Sequence, residues 1–367
     1  MNFLFLSAHA FLPTTRKTSV HFVSQSLADT GHEVEAIGVG HSHLTYFKNR
    51  TLYQQIVAQP KNRLAPTALR YRSGCYVPPL HPFSSKWQIV NAIMAPFFAL
   101  YGRRLPKFMR ESIRRADIVV IESGTAIVFF DAVRRINPNA RTLYFARDRL
   151  DTVGASHYLQ ILEKRIAPRF DTVVVPSRRM AAHFGDIENV AIIPQGIDKD
   201  GFNQSAASPY RDGSVNAIVV GNMLFDRAAV VAMAVSAPDV AFHLFGGGIP
   251  DDFPANVRVY GERAFQEIVP YIKFADFGIA PYRLTERELY LVESSLKLQQ
   301  YSYCGLPILA PELMAGSREN IVTYKQRGES DWAGKVHAAA TMAHEKSWCD
   351  GILTWREVSQ QIEAAIG

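Results

Sequence analysis

Short apolar runs recur along this chain with room for one amphipathic helix between neighbours, which is the rhythm of a parallel sheet covered by helices on both faces. In the first half they predict strands over residues 3–7, 34–39, 117–122, 142–146, 172–175 and 190–193; in the second, over 216–221, 240–245, 257–260, 277–281 and 306–310. Residues 40–90 break the rhythm, and Pro78, Pro79 and Pro82 bound what reads as a loop over an active cleft. The last apolar pattern, over 355–366, is that of an amphipathic helix. A chain of 367 residues is too long for one small core and suits two domains of about 150–200 residues each. The run Ile192-Ile-Pro-Gln-Gly-Ile-Asp198 and the polar stretch after it read as a linker, which places the domains at 1–205 and 206–350, with 351–367 as a final helix.

In an open parallel sheet ligands gather at the carboxyl ends of the strands, so the residues just beyond each strand carry the candidate chemistry. In the second half these are Gly221-Asn-Met-Leu-Phe-Asp226, Gly246 to Gly248, Gly261-Glu262 and Tyr282-Arg283. The three glycines lack the full dinucleotide spacing and read more readily as a tight strand-to-helix turn. The strongest segment is Glu293-Ser-Ser-Leu-Lys297-Leu-Gln-Gln300-Tyr-Ser-Tyr-Cys-Gly305-Leu-Pro307. Ser294 and Ser295 are good helix N-caps, and Gly305 with Pro307 stops the helix. A helix start attracts anions, but its dipole supplies only about 0.3–1 kcal/mol, so the charge of Lys297 in the first turn decides whether a diphosphate is held. Gln300, one turn later, faces the same way and can reach a ribose hydroxyl. By itself the segment reads equally as a capped helix in a core.

Composition adds an asymmetry. The formal charge of +6 divides into +11 over residues 1–205 and −5 over 206–367, and residues 41–115 hold 13 basic side chains against one acid, Glu111. That stretch also carries the apolar run 87–101, followed by Arg103, Arg104, Lys107 and Arg110. The run is too short to span a bilayer but can lie in its interface beside anionic headgroups. A buried helix with a solvated basic flank is the other reading. Nucleic acid is disfavoured, since no zinc spacing, RNA-binding signature or base-reading basic helix is present. Cys75, Cys304 and Cys349 are too scattered for a disulfide framework or a metal site. The amino terminus lacks the basic region of a signal peptide and reads as the first strand, so a cytosolic protein is expected.

The glycine after the first strand of the second half, the Ala-Asp-Phe-Gly-Ile-Ala-Pro strand and the Ser-x-Lys-Leu-x-Gln-Tyr-x-x-x-Gly-x-Pro run resemble the donor domain of GT-B glycosyltransferases. The chain is more closely similar to the bacterial exopolysaccharide glucuronosyltransferases of the xanthan type, glycosyltransferase family 70. The residues carrying this are Ser7-Ala-His9 with Val20-His21-Phe22, Glu122-Ser-Gly124, Ala146-Arg-Asp148, Gly221 to Asp226, Tyr260-Gly-Glu262, Gly278 to Tyr282 and Ser294 to Tyr301. The resemblance implies an α/β GT-B fold of two Rossmann-like, doubly wound parallel-sheet domains facing each other across a cleft. It implies an inverting enzyme that moves glucuronic acid from UDP-glucuronate to a polyprenyl-diphosphate-linked oligosaccharide, peripheral on the cytoplasmic face of the bacterial inner membrane. Another UDP-sugar donor, a UDP-binding scaffold without turnover and a nucleotide-sugar epimerase are the rival readings.

Carried over residue by residue, the resemblance places Met223, Leu224 and Glu262 at the uracil end, Tyr282, Ser294, Ser295 and Lys297 at the diphosphate and Gln300 at the ribose, where many GT-B enzymes have a glutamate. Leu296 replaces a methionine of the xanthan enzyme, a change that keeps volume. Inverting transfer needs one base for the acceptor hydroxyl. Asp148, just past the strand 142–146, matches the family's base; Asp151 is the reserve. Arg147 and Arg149 flank Asp148 and either lower its basicity or bind an anion. His9, Arg16, Lys17, His21 and Glu122 are candidate acceptor or carboxylate contacts. Asp198-Lys-Asp200 has a metal-binding look but falls in the expected linker, and no metal is expected, because Lys297 and the helix start can offset the leaving charge.

Overall fold

The computed structural model describes residues 1–12, 17–58, 62–205, 207–327 and 330–367. They form two compact units, Met1–Pro194 with Trp355–Gly367, and Gln195–Thr354.

Unit 1 is built on an eight-stranded sheet of β1 (Asn2–Ser7), β2 (Glu33–Gly38), β3 (Ala65–Ala68), β4 (Tyr71–Cys75), β5 (Ile118–Glu122), β6 (Arg141–Phe145), β7 (Thr172–Val175) and β8 (Val190–Ile192), in the order β3-β4-β2-β1-β5-β6-β7-β8. All neighbours are parallel except β3 and β4. The central strands are apolar at nearly every position because helices cover both faces, and all five residues of β5 are buried. Every strand the pattern predicted here forms, within a residue or two of its expected bounds. The irregular stretch 40–90 keeps a loop around Pro78, Pro79 and Pro82, but before it holds the hairpin of β3 and β4, turned at Arg70 with φ 58°, and the helix Arg50–Ala58. The edge strand β3 is mostly exposed, so no apolar alternation marked it.

The apolar run forms the helix Gln88–Arg103. Phe98 and Tyr101 anchor it: Phe98 stacks on Tyr158, and the Tyr101 hydroxyl donates to the Val39 carbonyl at 2.6 Å. The opposite side is open, with Ile89, Ile93, Phe97 and Leu100 exposed at helical spacing. The alternative reading of a buried helix is therefore replaced by one with an exposed apolar stripe. The terminal helix Trp355–Ile366 belongs to unit 1, where Trp355 stacks on Phe22 at 5.0 Å and the Ser359 and Ser26 hydroxyls meet at 2.8 Å.

Unit 2 contains β9 (Gly196–Ile197) and a six-stranded parallel sheet of β10 (Val215–Val220), β11 (Val240–Phe245), β12 (Val257–Gly261), β13 (Phe277–Ile279), β14 (Ile308–Pro311) and β15 (Ile321–Tyr324), ordered β12-β11-β10-β13-β14-β15; β16 (Leu353–Thr354) pairs with β9. That pairing is why the chain divides at 194/195 rather than near 205: residues 195–205 are tied into unit 2. Asp198, expected in a linker, caps the helix Lys199–Gln204 by accepting from the Gly201 amide at 3.0 Å.

Candidate active site

In unit 2 the strand ends converge as the sheet order dictates. β10 lies between β11 and β13, so the turns after these three strands are neighbours. Gly221, at φ 82°, lets the chain leave β10 sharply, and its N–H donates to the Phe245 carbonyl at 2.7 Å. The loop then lies against the end of β13. The Arg283 N–H donates to the Leu224 carbonyl at 2.7 Å, the Asp226 N–H to the Pro281 carbonyl at 2.7 Å, and Phe225 bridges to Tyr282. This fastening holds Leu224 at φ 50° and leaves Met223 41% exposed at the tip. Asn222 donates to the Gly247 carbonyl, and a side chain at Gly247 would meet the Glu262 carboxylate at 3.2 Å, so Glu262 stands over the turn after β11.

The expected serine caps are corrected. A short helix, Leu291–Ser294, ends at Ser295, whose extended backbone (φ −67°, ψ 119°) opens the next helix, Leu296–Tyr303. Neither hydroxyl caps. Ser294 donates to the Tyr290 carbonyl at 2.9 Å, and Ser295 meets the Tyr282 hydroxyl at 2.7 Å. With no side chain spent on capping, the leading N–H groups of the second helix keep their affinity for an anion. Lys297 lies in this first turn with its Nζ 4.5 Å from the centre of the Tyr282 ring and beside Gly221. Leu296 is half-buried next to it and Gln300 is buried one turn on. Every donor residue expected from the sequence thus lies along one connected path, from Glu262 through the 221–226 loop and Tyr282 to the helix start.

Unit 1 gathers a second group at the ends of β1, β5 and β6, which are adjacent in the sheet. Glu122 ends β5 fully buried, and Ser7, ending β1, donates its hydroxyl to it. The Ser7 oxygen in turn accepts the His9 N–H at 2.9 Å. His9 is half exposed, with Nε2 3.9 Å from Glu122 Oε1. Burial raises the Glu122 carboxyl above the usual carboxylate range; His9, Ser7 and Arg147 act against that, and the charge of Asp148 adds to it. Asp148 sits partly buried in the bend after β6.

The two flanking arginines turn in different directions. Arg147 points inward over the Phe145 ring, 4.7 Å from its centre, and donates to the Ile193 carbonyl at 3.2 Å; burial lowers it to about 10 against the pull of Asp148 and Glu122. Arg149 forks onto Asp151 at 3.0 and 2.7 Å. Burial would raise the Asp151 carboxyl, yet this fork holds it below its ordinary range, which makes Asp151 a poor reserve base. His21 is committed as well: Nδ1 accepts the Thr18 N–H at 3.1 Å and Nε2 donates to the Ala10 carbonyl at 3.0 Å, so it serves the start of the helix Ser19–Asp29 rather than a substrate. Lys17 lies 5.9 Å from the Phe22 ring, and Arg16 falls outside the described residues. Ser7 was not singled out from the sequence as a site residue; its place at a strand end was the available signal. Among the described residues no group of three or more His, Cys, Asp or Glu side chains is placed to hold a metal ion.

Two Rossmann-like units, each with its polar groups at the carboxyl ends of parallel strands, define the GT-B fold. Solved structures share it over nearly the whole chain. The apo structure of OtsA matches with a TM-score of 0.67 at 11% identity, covering 100% of this chain and 99% of its own. The E. coli trehalose-6-phosphate structure bound with UDP-2-fluoro glucose matches with a TM-score of 0.62 at 11% identity, covering 99% and 98%. In sequence, residues 5–176 match the N-terminal domain of the glucuronosyltransferase GumK. The chain is 33% identical over 348 residues to the UDP-glucuronate:glycolipid 2-beta-glucuronosyltransferase of Xanthomonas campestris pv. campestris, covering 94% of this chain and 84% of the relative. It belongs to the GumK-type glucuronosyltransferase family and is a glycosyltransferase.

Proposed function

We propose that this enzyme transfers glucuronic acid from UDP-glucuronate, with inversion, to a lipid-linked oligosaccharide in bacterial exopolysaccharide synthesis. The observation that carries the reading is the 33% identity, spanning both units, to an enzyme that joins this donor to a glycolipid. Unit 2 supplies the donor cradle. Met223, Leu224 and Glu262 border the base, Gln300 the ribose, and Tyr282, Ser294, Ser295, Leu296 and Lys297 the diphosphate. In the step itself the acceptor hydroxyl oxygen attacks the anomeric carbon as the bond from that carbon to the UDP oxygen breaks. The electron pair leaves on the diphosphate, where Lys297 and the helix start offset its charge without a metal, and the hydroxyl proton passes to the Asp148 carboxylate of unit 1.

The lipid-linked acceptor is met at the cytoplasmic face of the membrane, with the exposed stripe of the helix Gln88–Arg103 and the basic residues after it resting on anionic headgroups. No helix among the described residues is long and apolar enough to cross a membrane. The direct test is transfer of labelled glucuronate from UDP-glucuronate to a membrane glycolipid fraction, with and without EDTA. Transfer is expected in both, and Asp148→Asn is expected to cut the rate roughly 10²–10⁴-fold while UDP still binds. Undiminished transfer by Asp148→Asn would remove the base assignment, and a preference for UDP-glucose would replace the donor.

A further inference from the structure

Glu122 is a buried carboxylate that the transfer step does not use. Burying such a charge costs several kcal/mol after relaxation unless its partners compensate, so what it holds is informative. Its partners are few. One oxygen takes the Ser7 hydroxyl and the other faces His9 Nε2 at 3.9 Å. Arg147, the cation nearby, does not bond it: Nη1 is given to Ile193, and Nε and Nη2 have no hydrogen-bond partner. Ser7 fixes the backbone of His9 as well as the carboxylate, so strand end, acid and imidazole form one assembly. Its only half-exposed member is the imidazole.

A carboxylate behind one ring nitrogen keeps the proton on that nitrogen and leaves the other with its lone pair. Here Nε2 faces the acid, so Nδ1 is left to accept a hydrogen bond from a hydroxyl. Hydrogen bonds of this kind are commonly long in an unliganded enzyme and shorten when substrate arrives. Asp148, just past the end of the neighbouring strand β6, is close enough to raise the Glu122 carboxyl electrostatically.

We propose that His9 binds a hydroxyl of the acceptor sugar and that Glu122 is a positioning residue, fixing the His9 tautomer so that the acceptor is presented to Asp148. This rests on the glucuronosyltransferase reading above and deepens it by assigning the acceptor end. The groups facing His9 are Glu122 from β5, His21 from the helix Ser19–Asp29 with its ring centre 6.1 Å away, and His41 from the turn after β2; Lys17 acts on the same histidine group through His21. Burial lowers His21 and His41 to about 4, so neither adds a charge beside His9 near neutral pH.

The experiment is steady-state transfer by the full chain, with glycolipid acceptor and UDP-glucuronate varied separately from pH 5 to 8. His9→Gln is expected to raise the acceptor KM about tenfold, with kcat within about threefold and the donor KM unchanged, as for loss of one hydrogen bond. Glu122→Gln is expected to raise the acceptor KM with kcat and the donor KM kept, and to add little further in a His9→Gln background; a merely structural role for Glu122 would not make its effect depend on His9. His9 is exposed, so its variant folds even where Glu122→Gln is unstable. An unchanged acceptor KM in His9→Gln overturns the proposal, as does a collapse of kcat with KM unchanged, which would make His9 the base. Wild-type chain that binds UDP but transfers no glucuronate would overturn the underlying reading, and the inference with it.

Discussion

Leu224 shows how one residue's backbone shapes the proposed donor site. At φ 50° it lies in the left-handed region, which costs a residue with a Cβ roughly 1–2 kcal/mol. The cost is met by the bonds on either side, from Arg283 to its carbonyl and from Asp226 to Pro281. Leu224→Gly is expected to raise stability by about 1 kcal/mol in a urea titration and to weaken UDP binding by calorimetry, because the freed loop no longer presents Met223 in one place. A loss on both counts would mean that the leucine side chain, not the strain, matters here. Lys297 carries the opposite balance, little strain and much charge. Lys297→Ala removes a charge-assisted contact worth about 1.5–3 kcal/mol, so UDP should bind roughly ten- to hundredfold more weakly. Unchanged affinity would take the diphosphate away from this helix start.

At the scale of elements, the helix Leu296–Tyr303 is set in place by a contact with β13. A Cβ on Gly278 would lie 2.4 Å from the Tyr301 ring, and the Tyr301 hydroxyl donates to the Ile218 carbonyl at 3.2 Å while accepting the Val220 N–H at 3.1 Å. Gly278→Ala must therefore push helix and strand apart, at about 1–3 kcal/mol. Because Lys297 rides on the same helix, UDP affinity should fall as well, although Gly278 touches no donor residue. A variant with normal stability and normal UDP binding would show that the helix is placed by other contacts. The same contact marks where sequence reading stops. Parallel strands such as β5 and β11 were legible because burial on both faces leaves continuous apolar runs, and the ends of β5 and β12 pointed to Glu122 and Glu262. The hairpin of β3 and β4 was not, since an edge strand open to water carries no apolar rhythm. Local preference misled at Ser294 and Ser295, good caps by residue type whose hydroxyls are taken by Tyr290 and Tyr282 instead. It was silent on Arg147, whose inward turn depends on the distant Ile193 carbonyl.

Across the whole molecule, charge and titration are unevenly shared. Unit 1 carries a formal +11 and unit 2 −5. Within unit 1, burial lowers His21 to about 4, although its bond to the Ala10 carbonyl acts against that. Since the unfolded chain takes up the proton near 6.5, its stabilising effect is complete above that pH and is lost as pH falls towards about 4, up to roughly 3 kcal/mol. Urea midpoints should drop through that window, and His21→Gln should flatten the slope; an unaltered slope would place the acid sensitivity elsewhere. The excess positive charge bears on the proposed membrane contact. Arg103 and Arg104 are exposed where the stripe of Ile89, Ile93, Phe97 and Leu100 ends, and Lys107 follows. Apolar area and charge then act on the same surface, each basic residue contributing about 1 kcal/mol near anionic lipid. Reversing all three to glutamate should abolish binding to anionic vesicles while leaving UDP affinity intact, whereas Ile93→Ser with Phe97→Ser should weaken binding even at low salt. The exposed Trp87 beside the stripe gives the readout, a blue shift in emission as it leaves water. Binding that survives both sets of changes would remove this helix and its basic flank from the proposed membrane contact.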